Sequence, residues 1–314
     1  MTSLTPSDLD AIRVLDGGMA TELEARGCDT SGPLWSAHVL DSAPEKIGQV
    51  HLDYLRAGAD CISTASYQVS AIGYRHLGRP QSDAAQAIRS SVALAESARE
   101  EYRRESSRPV FIAVSLGPYG AALHNGAEFH GRYDIGFDEL IAFHAERLAV
   151  AAETNADLVA LETVPSLEEG GALAQALSRY PDIRAWVSFT CRDTAHVAHG
   201  ERLGECFALL NAASQVLAVG INCTAPQHVE QLIAEAKAST TKPIFVYPNS
   251  GELWEAANRR WFGSSKVDEF AAMAERGYAA GAHAVGGCCR TTPAHIQAVR
   301  RIRNLIPSPE PASI

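Results

Sequence analysis

Three of the seven cysteines in this 314-residue chain stand where they could share a reaction centre: Cys223 in GINC, and the adjacent pair Cys288 and Cys289 in GGCCRTTPAHI. Neighbouring side chains on a regular strand point to opposite faces, so two consecutive residues can bind one ion only where the chain leaves strand geometry. Gly286 and Gly287 permit that departure. Three protein ligands with a fourth position open is the pattern of a catalytic zinc site, whereas a structural site closes with four. The residues alone leave three readings open: a metal site, a reactive or redox thiol pair, and inert cysteines. Cys28, Cys61, Cys191 and Cys206 read as small hydrophobes. Glu162 ends the otherwise apolar run DLVALE, and a carboxylate there is costly without a cation, which points to a substrate ammonium. His196 and His199 share a polar stretch and read as a solvated loop.

These groups need elements to hold them. Short apolar runs alternate with helical patterns, and eight of the runs read as strands: 12–16, 60–65, 109–116, 157–162, 184–190, 216–222, 243–247 and 283–287. Continuously apolar strands joined by helices imply a parallel sheet covered by helices. RAGADCIS, ETNADLVALE and AAGAHAVGG repeat one helix-to-strand turn, with Gly or Asn at the left-handed position. Eight units predict a (β/α)8 TIM barrel, one α/β domain over 1–314 with a short proline-rich tail from about 306. Chemistry in that fold gathers at the C-terminal ends of strands, where Asp16, Gly17, Gly18, Thr64, Glu162, Asn222, Tyr247, Asn249 and the three cysteines all fall. Thr292-Pro293 reads as a cap and the first residue of the last helix.

Composition excludes other classes. The formal charge of −10, from 27 basic and 37 acidic residues, is spread along the chain and argues against a nucleic-acid surface. The first residues lack the apolar core of a signal peptide, and no apolar run approaches the roughly 20 residues of a membrane span. The expectation is a cytoplasmic protein without nucleic-acid or membrane partners, in which cysteines serve as thiols or metal ligands.

LDGGMATELEARG, LWSAHVL, GPYGA, LETVPS, GINC, YPNSGE and GGCCRTTPAHI together resemble the homocysteine S-methyltransferase family, most closely the branch that uses S-methylmethionine or S-adenosylmethionine. The resemblance runs from about residue 12 to 303. It implies a (β/α)8 barrel and a zinc ion held by Cys223, Cys288 and Cys289, through which those cysteines act in catalysis. It further implies methyl transfer from a sulfonium donor to L-homocysteine. The homocysteine ammonium is expected near Asp16 and Glu162. Its carboxylate is expected against backbone N–H groups around Gly17, Gly18 and Thr64, with Asn222 and Tyr247 also at the substrate. Where the betaine-using branch has a tyrosine that can complete the zinc shell, this chain has Thr163. Asn249 then stands as the fourth ligand by likeness to cobalamin-dependent relatives, with water otherwise in that place. No cobalamin or folate module is expected. Trp35, Tyr67, Tyr119, Phe189 and Tyr247 are aromatic candidates for a cation–π face toward the donor.

Two rival functions remain at this level. A vicinal-dithiol redox sensor uses Cys288 and Cys289 but leaves Cys223, Asp16 and Glu162 without a role. A non-catalytic barrel that sequesters methionine-like metabolites carries zinc yet turns nothing over.

Overall fold

The computed structural model describes residues 4–307 apart from 31, 33, 35, 256–259 and 264, so Trp35 and the tail beyond 307 lie outside the described residues. The strands, in chain order, are β1 (Cys61–Ser63), β2 (Phe111–Leu116), β3 (Leu158–Val164), β4 (Ala185–Phe189), β5 (Val216–Asn222), β6 (Ile244–Tyr247), β7 (Leu253–Glu255), β8 (Arg260–Phe262) and β9 (Ala284–Val285). Seven form one sheet in the order β1-β2-β3-β4-β5-β6-β9, while β7 and β8 pair separately as an antiparallel ribbon. Every pairing in the large sheet is parallel. The crossovers between its strands carry helices, including Gln81–Arg103, Phe137–Ala152, Leu167–Leu177, Val229–Lys237 and Val267–Ala280, and the helix Pro44–Ala57 leads into β1. No helix among the described residues is long and apolar enough to cross a membrane.

Strand alternation sorts the side chains into two populations. Ile112, Val114, Val159, Leu161, Val187, Phe189, Val219, Ile221 and Val246 face the helices and belong to the larger apolar core. Cys61, Phe111, Ala113, Leu158, Ala160, Trp186, Ala218, Phe245 and Tyr247 form a second cluster inside the curl of the sheet. Following that inner face toward the C-terminal ends, the same alternation brings Ser115, Glu162, Ser188 and Asn222 after the apolar residues. The interior thus changes from hydrocarbon at one end to hydroxyl and carboxylate at the other, which puts polar chemistry at the C-terminal rim.

Seven of the eight expected strands are ladder strands. The stretch 12–16 instead makes one parallel bridge to each edge of the sheet, Val14 to Val285 and Leu15 to Cys61. Asp60 anchors it: Oδ2 accepts from Arg13 N–H at 3.0 Å and Val14 N–H at 2.9 Å, while Oδ1 accepts from Arg108 at 2.6 Å and from Arg300. Gly58 and Gly281 end their helices with φ of 110° and 113°, as the repeated turn predicts. Asn155 does not: the helix before it ends at Glu153 in right-handed geometry, so the repeated turn holds in two of its three copies.

Candidate metal centre and substrate rim

Cys223 follows β5, and Cys288 and Cys289 follow β9, with β6 between them. Their sulfurs all lie within 4.8 Å of one another, and Cys223 Sγ is 3.7 Å from Cys289 Sγ. Two sulfurs bound at about 2.3 Å to one tetrahedral ion stand about 3.8 Å apart, so spacing and soft donor chemistry both fit a thiophilic divalent metal. The thiols already act as one unit. Hydrogen bonds from Cys223 and then Cys288 hold the Cys289 thiol well below its usual range. The bonds that Cys223 shares with Cys288 and Cys289, together with burial, push its own thiol up. The other four cysteines are free as well, and Cys61, Cys191 and Cys206 are buried as small hydrophobes.

The backbone around the sulfurs is tied to the loop after β6. Cys223 N–H donates to Tyr247 O (3.2 Å), Cys288 N–H to Pro248 O (2.8 Å), and Ser250 N–H to Cys289 O (3.0 Å). Asn249 Oδ1 accepts from Cys289 N–H at 3.2 Å, which places the expected fourth ligand's oxygen beside the cluster. Gly286 and Gly287 do not adopt the left-handed conformation; Arg290 does, at φ 64°. The missing Cβ is what matters at Gly286, since one there would lie 2.5 Å from Leu15 Cβ and 2.8 Å from Asp16 O. Gly18 answers from the other side, where a Cβ would sit 2.7 Å from Cys288 O. The two glycine pairs therefore let the first and last rim segments interlock, and Gly287 N–H donates to Asp16 O at 2.9 Å. Thr292 precedes the helix Pro293–Leu305 as expected, with its N–H on His295 Nδ1 at 3.2 Å.

Two carboxylates face this cluster. Glu162 continues the inward face of β3, is 9% exposed, and accepts a hydrogen bond from Ser115 Oγ. Burial pushes its carboxyl up to about 7 against the pull of that bond, with the Cys288 charge adding to the rise. Asp16 is buried, accepts from Ser63 N–H at 2.7 Å, and is held well above the usual carboxylate range by burial and by Glu162. Neither has an ion-pair partner among the described residues. Tyr247 is 5% exposed; its hydroxyl accepts from Trp186 Nε1 at 2.8 Å and bonds Ser188.

Other expected residues take supporting positions. Asn222 is fully buried and its amide is engaged by Thr163, accepting from the backbone N–H and donating to Oγ1, both at 2.8 Å. Thr163 needs that clamp, having φ of 62° where the β3–β4 register shifts. Thr64 Oγ1 accepts from Ser115 N–H at 3.1 Å, and its own N–H is in the ladder to Ala113 at 2.9 Å. Gly18 N–H donates to Thr291 Oγ1 at 3.1 Å. The N–H groups of Gly17, Ala65 and Ser66 donate to nothing among the described residues. Of the aromatic candidates, Tyr67 lies at the rim with its ring over Gly117, while Phe189 is on the outer face, buried against Gly170. Tyr119 meets Tyr133 and Phe143 edge-on. His196 bonds Asp193 on a partly exposed loop and His199 bonds Glu201, so both have ordinary surface partners. Sequence reasoning missed Ser115, whose place is given by alternation along FIAVSL, and Glu128, a buried acid on the turn Ala127–Phe129.

Comparison with known proteins gives the chain a family. The S-methyl_trans family, described as homocysteine S-methyltransferase, matches residues 13–303. The chain is 44% identical over 292 residues to homocysteine S-methyltransferase YbgG of Bacillus subtilis, covering 91% of this chain and 92% of the relative. It is 44% identical over 296 residues to homocysteine S-methyltransferase of Escherichia coli, covering 93% and 96%. The crystal structure of the metallated homocysteine methyltransferase MmuM from Escherichia coli superposes with a TM-score of 0.84 at 43% identity, over 93% of this chain and 96% of that one. With a match that spans both the rim motifs and the strands behind them, the chain belongs to the homocysteine S-methyltransferase family.

Proposed function

We propose that this enzyme transfers a methyl group from a sulfonium donor, S-methylmethionine ahead of S-adenosylmethionine, to L-homocysteine, with zinc held by Cys223, Cys288 and Cys289. The observation that carries the reading is one rim bearing both a three-sulfur cluster and two buried carboxylates, Asp16 and Glu162, that lack a cation among the described residues. Homocysteine has a group for each: a thiol for the sulfurs and an ammonium for the carboxylates. Its carboxylate goes to the free N–H groups at Gly17, Ala65 and Ser66, and the absent Cβ of Gly17 makes room for Thr291 Oγ1, which would lie 2.8 Å from it, and for the Tyr54 ring. Zinc, when bound, supplies the Lewis acidity that makes a thiol of ordinary pKa ~8.5 available as thiolate at neutral pH.

The chain's own groups do the positioning. Asp16 and Glu162 fix the amino end of homocysteine, Tyr247 borders Glu162, and Asn222 secures the bulge that aims Glu162 inward. Asn249 is the protein group placed to complete the metal shell before substrate arrives. In the transfer, the homocysteine sulfur forms a bond to the methyl carbon as the donor's S–CH3 bond breaks. The bonding pair stays on the donor sulfur, which leaves as a neutral thioether, and the thiol proton goes to solvent. We read the scaffold as a single (β/α)8 barrel in which 12–16 is the first strand, supported by its bridges to both sheet edges, and the free thiols as those of a cytoplasmic enzyme.

The test is methionine formation from homocysteine with each donor offered separately. S-methylmethionine should be fastest and should yield two methionines per homocysteine consumed, S-adenosylmethionine should be slower and yield one, and glycine betaine should give none. Betaine turnover at a comparable rate refutes the donor assignment.

A further inference from the structure

A third buried carboxylate stands apart from the homocysteine pair. Glu128 lies on the 3₁₀ turn Ala127–Phe129, is 5% exposed, and leaves Oε2 without a hydrogen-bond partner. Like Asp16 and Glu162 it has no ion-pair partner among the described residues. The turn is pressed against the helix Tyr119–Leu123 that follows β2, since a Cβ on Gly120 would lie 2.6 Å from the Ala127 carbonyl carbon and 2.8 Å from Glu128 Cα. This backbone contact fixes where the carboxylate stands.

Its surroundings include tyrosines, and its charge reaches the sulfur cluster. The charge of Glu128 acts on Tyr67, Tyr133 and Cys289. The Tyr67 ring covers Gly117 at the end of β2, where a Cβ would be 2.7 Å from Tyr67 Cε2, and its phenol also feels Cys223 and Glu162. Tyr133 is pinned by a 2.8 Å bond to Glu169, which also accepts from Tyr119 N–H (2.6 Å) and bonds His144 (2.9 Å). The wall around Glu128 is thus rigid. Burial pushes the Glu128 carboxyl up to about 7, the mark of a negative site short of a positive partner.

We infer that Glu128 is the counter-charge for the sulfonium of the methyl donor, an assignment that rests on the methyl-transfer reading above. A sulfonium has no N–H or O–H, so it asks for negative charge and polarisable ring faces rather than directed hydrogen bonds, and Glu128 with Tyr67 and Tyr133 offers both. The methyl group must meet a sulfur at the cysteine cluster, so the sulfonium is the part of the donor that comes nearest to it. The charge disappears when the methyl leaves, so Glu128 favours the donor over its thioether product and assists exchange of one for the other.

Glu128→Gln keeps the shape and removes the charge. With S-methylmethionine, the donor KM should rise at least tenfold while homocysteine affinity by calorimetry and metal content stay within twofold of the wild type, which also reports that the variant is folded. Methionine, which has the same amino-acid end but no sulfonium, should inhibit against the donor with a constant changed by less than twofold. An unchanged donor KM, an equal loss for methionine, or loss of the metal overturns the assignment. A wild type that uses no sulfonium donor fails the methyl-transfer reading first, and this inference falls with it.

Discussion

Glu162 concentrates a conflict, because burial raises its carboxyl while Ser115 holds it in place and the Cys288 charge opposes ionisation. Glu162→Gln should retain the metal yet weaken homocysteine binding by tenfold or more, in the range of about 2–5 kcal/mol for a desolvated charge pair; calorimetry with metal analysis on the same samples measures both. The pH dependence has a definite sign. A carboxyl that holds its proton more tightly in the folded chain, at about 7 against 4.5, contributes full stability below ~4.5 and loses it as pH rises to ~7. Without substrate, the wild type should fall relative to Glu162→Gln by up to about 3 kcal/mol across that window, measured as denaturant midpoints at pH 4.5 and 8. An identical pH profile in both proteins contradicts the assignment. The cysteines were legible because two of them are adjacent where a strand run ends, and Glu162 because a carboxylate is costly at the end of an apolar strand. Glu128 was not, since one acid in a polar loop gives no sign of being buried.

At the scale of elements, the end of β3 is held out of regular geometry by β5. Thr163 has a left-handed backbone and is 2% exposed, and its N–H depends on the Asn222 side chain. Asn222→Ala should leave that buried donor unsatisfied, costing about 1–3 kcal/mol of unfolding free energy, and should reduce homocysteine affinity through the neighbouring Glu162. Asn222→Asp keeps the acceptor but buries an unpaired carboxyl, so it should recover stability only at low pH, where that group is protonated; a loss below about 0.5 kcal/mol for the alanine variant contradicts the clamp. GINC announced that something polar follows β5, but a substrate contact and a clamp look alike in sequence. Gly286 and Gly287 were likewise visible as special, while the reason was not: close approach by the first rim segment is a tertiary fact, and a glycine that lacks room for Cβ reads the same as one that needs positive φ.

For the molecule as a whole, Asp60 does for the sheet what Asn222 does for the rim. It is nearly buried and gathers Arg108, Arg300 and two N–H groups of the 12–16 stretch, joining β1, the last helix and the first segment at the end opposite the sulfurs. Asp60→Ala leaves two N–H donors unmatched and two arginines with their carbonyl partners but no counter-charge, and should cost about 3–5 kcal/mol, read from denaturant unfolding. A loss under 1 kcal/mol would mean that the stretch is held by other contacts. Apolar runs and helical spacing made the seven ladder strands and their parallel order legible in advance. They could not tell that 12–16 meets its neighbours through single bridges, because IRVLD has the composition of any inner strand and its pairing is decided by the two edges it lies between.

If Cys223, Cys288 and Cys289 hold zinc for catalysis, methyl transfer should depend on the metal. Protein purified under reducing conditions should carry about one zinc per chain, lose methionine formation from homocysteine and S-methylmethionine when the ion is removed by chelation, and regain it in proportion to zinc restored. Cys223→Ala and Cys288→Ala should remain folded by circular dichroism, hold little metal, and stay inactive at any added zinc below millimolar. Wild-type protein that forms methionine at full rate with no metal bound would show that the three cysteines do not act through zinc.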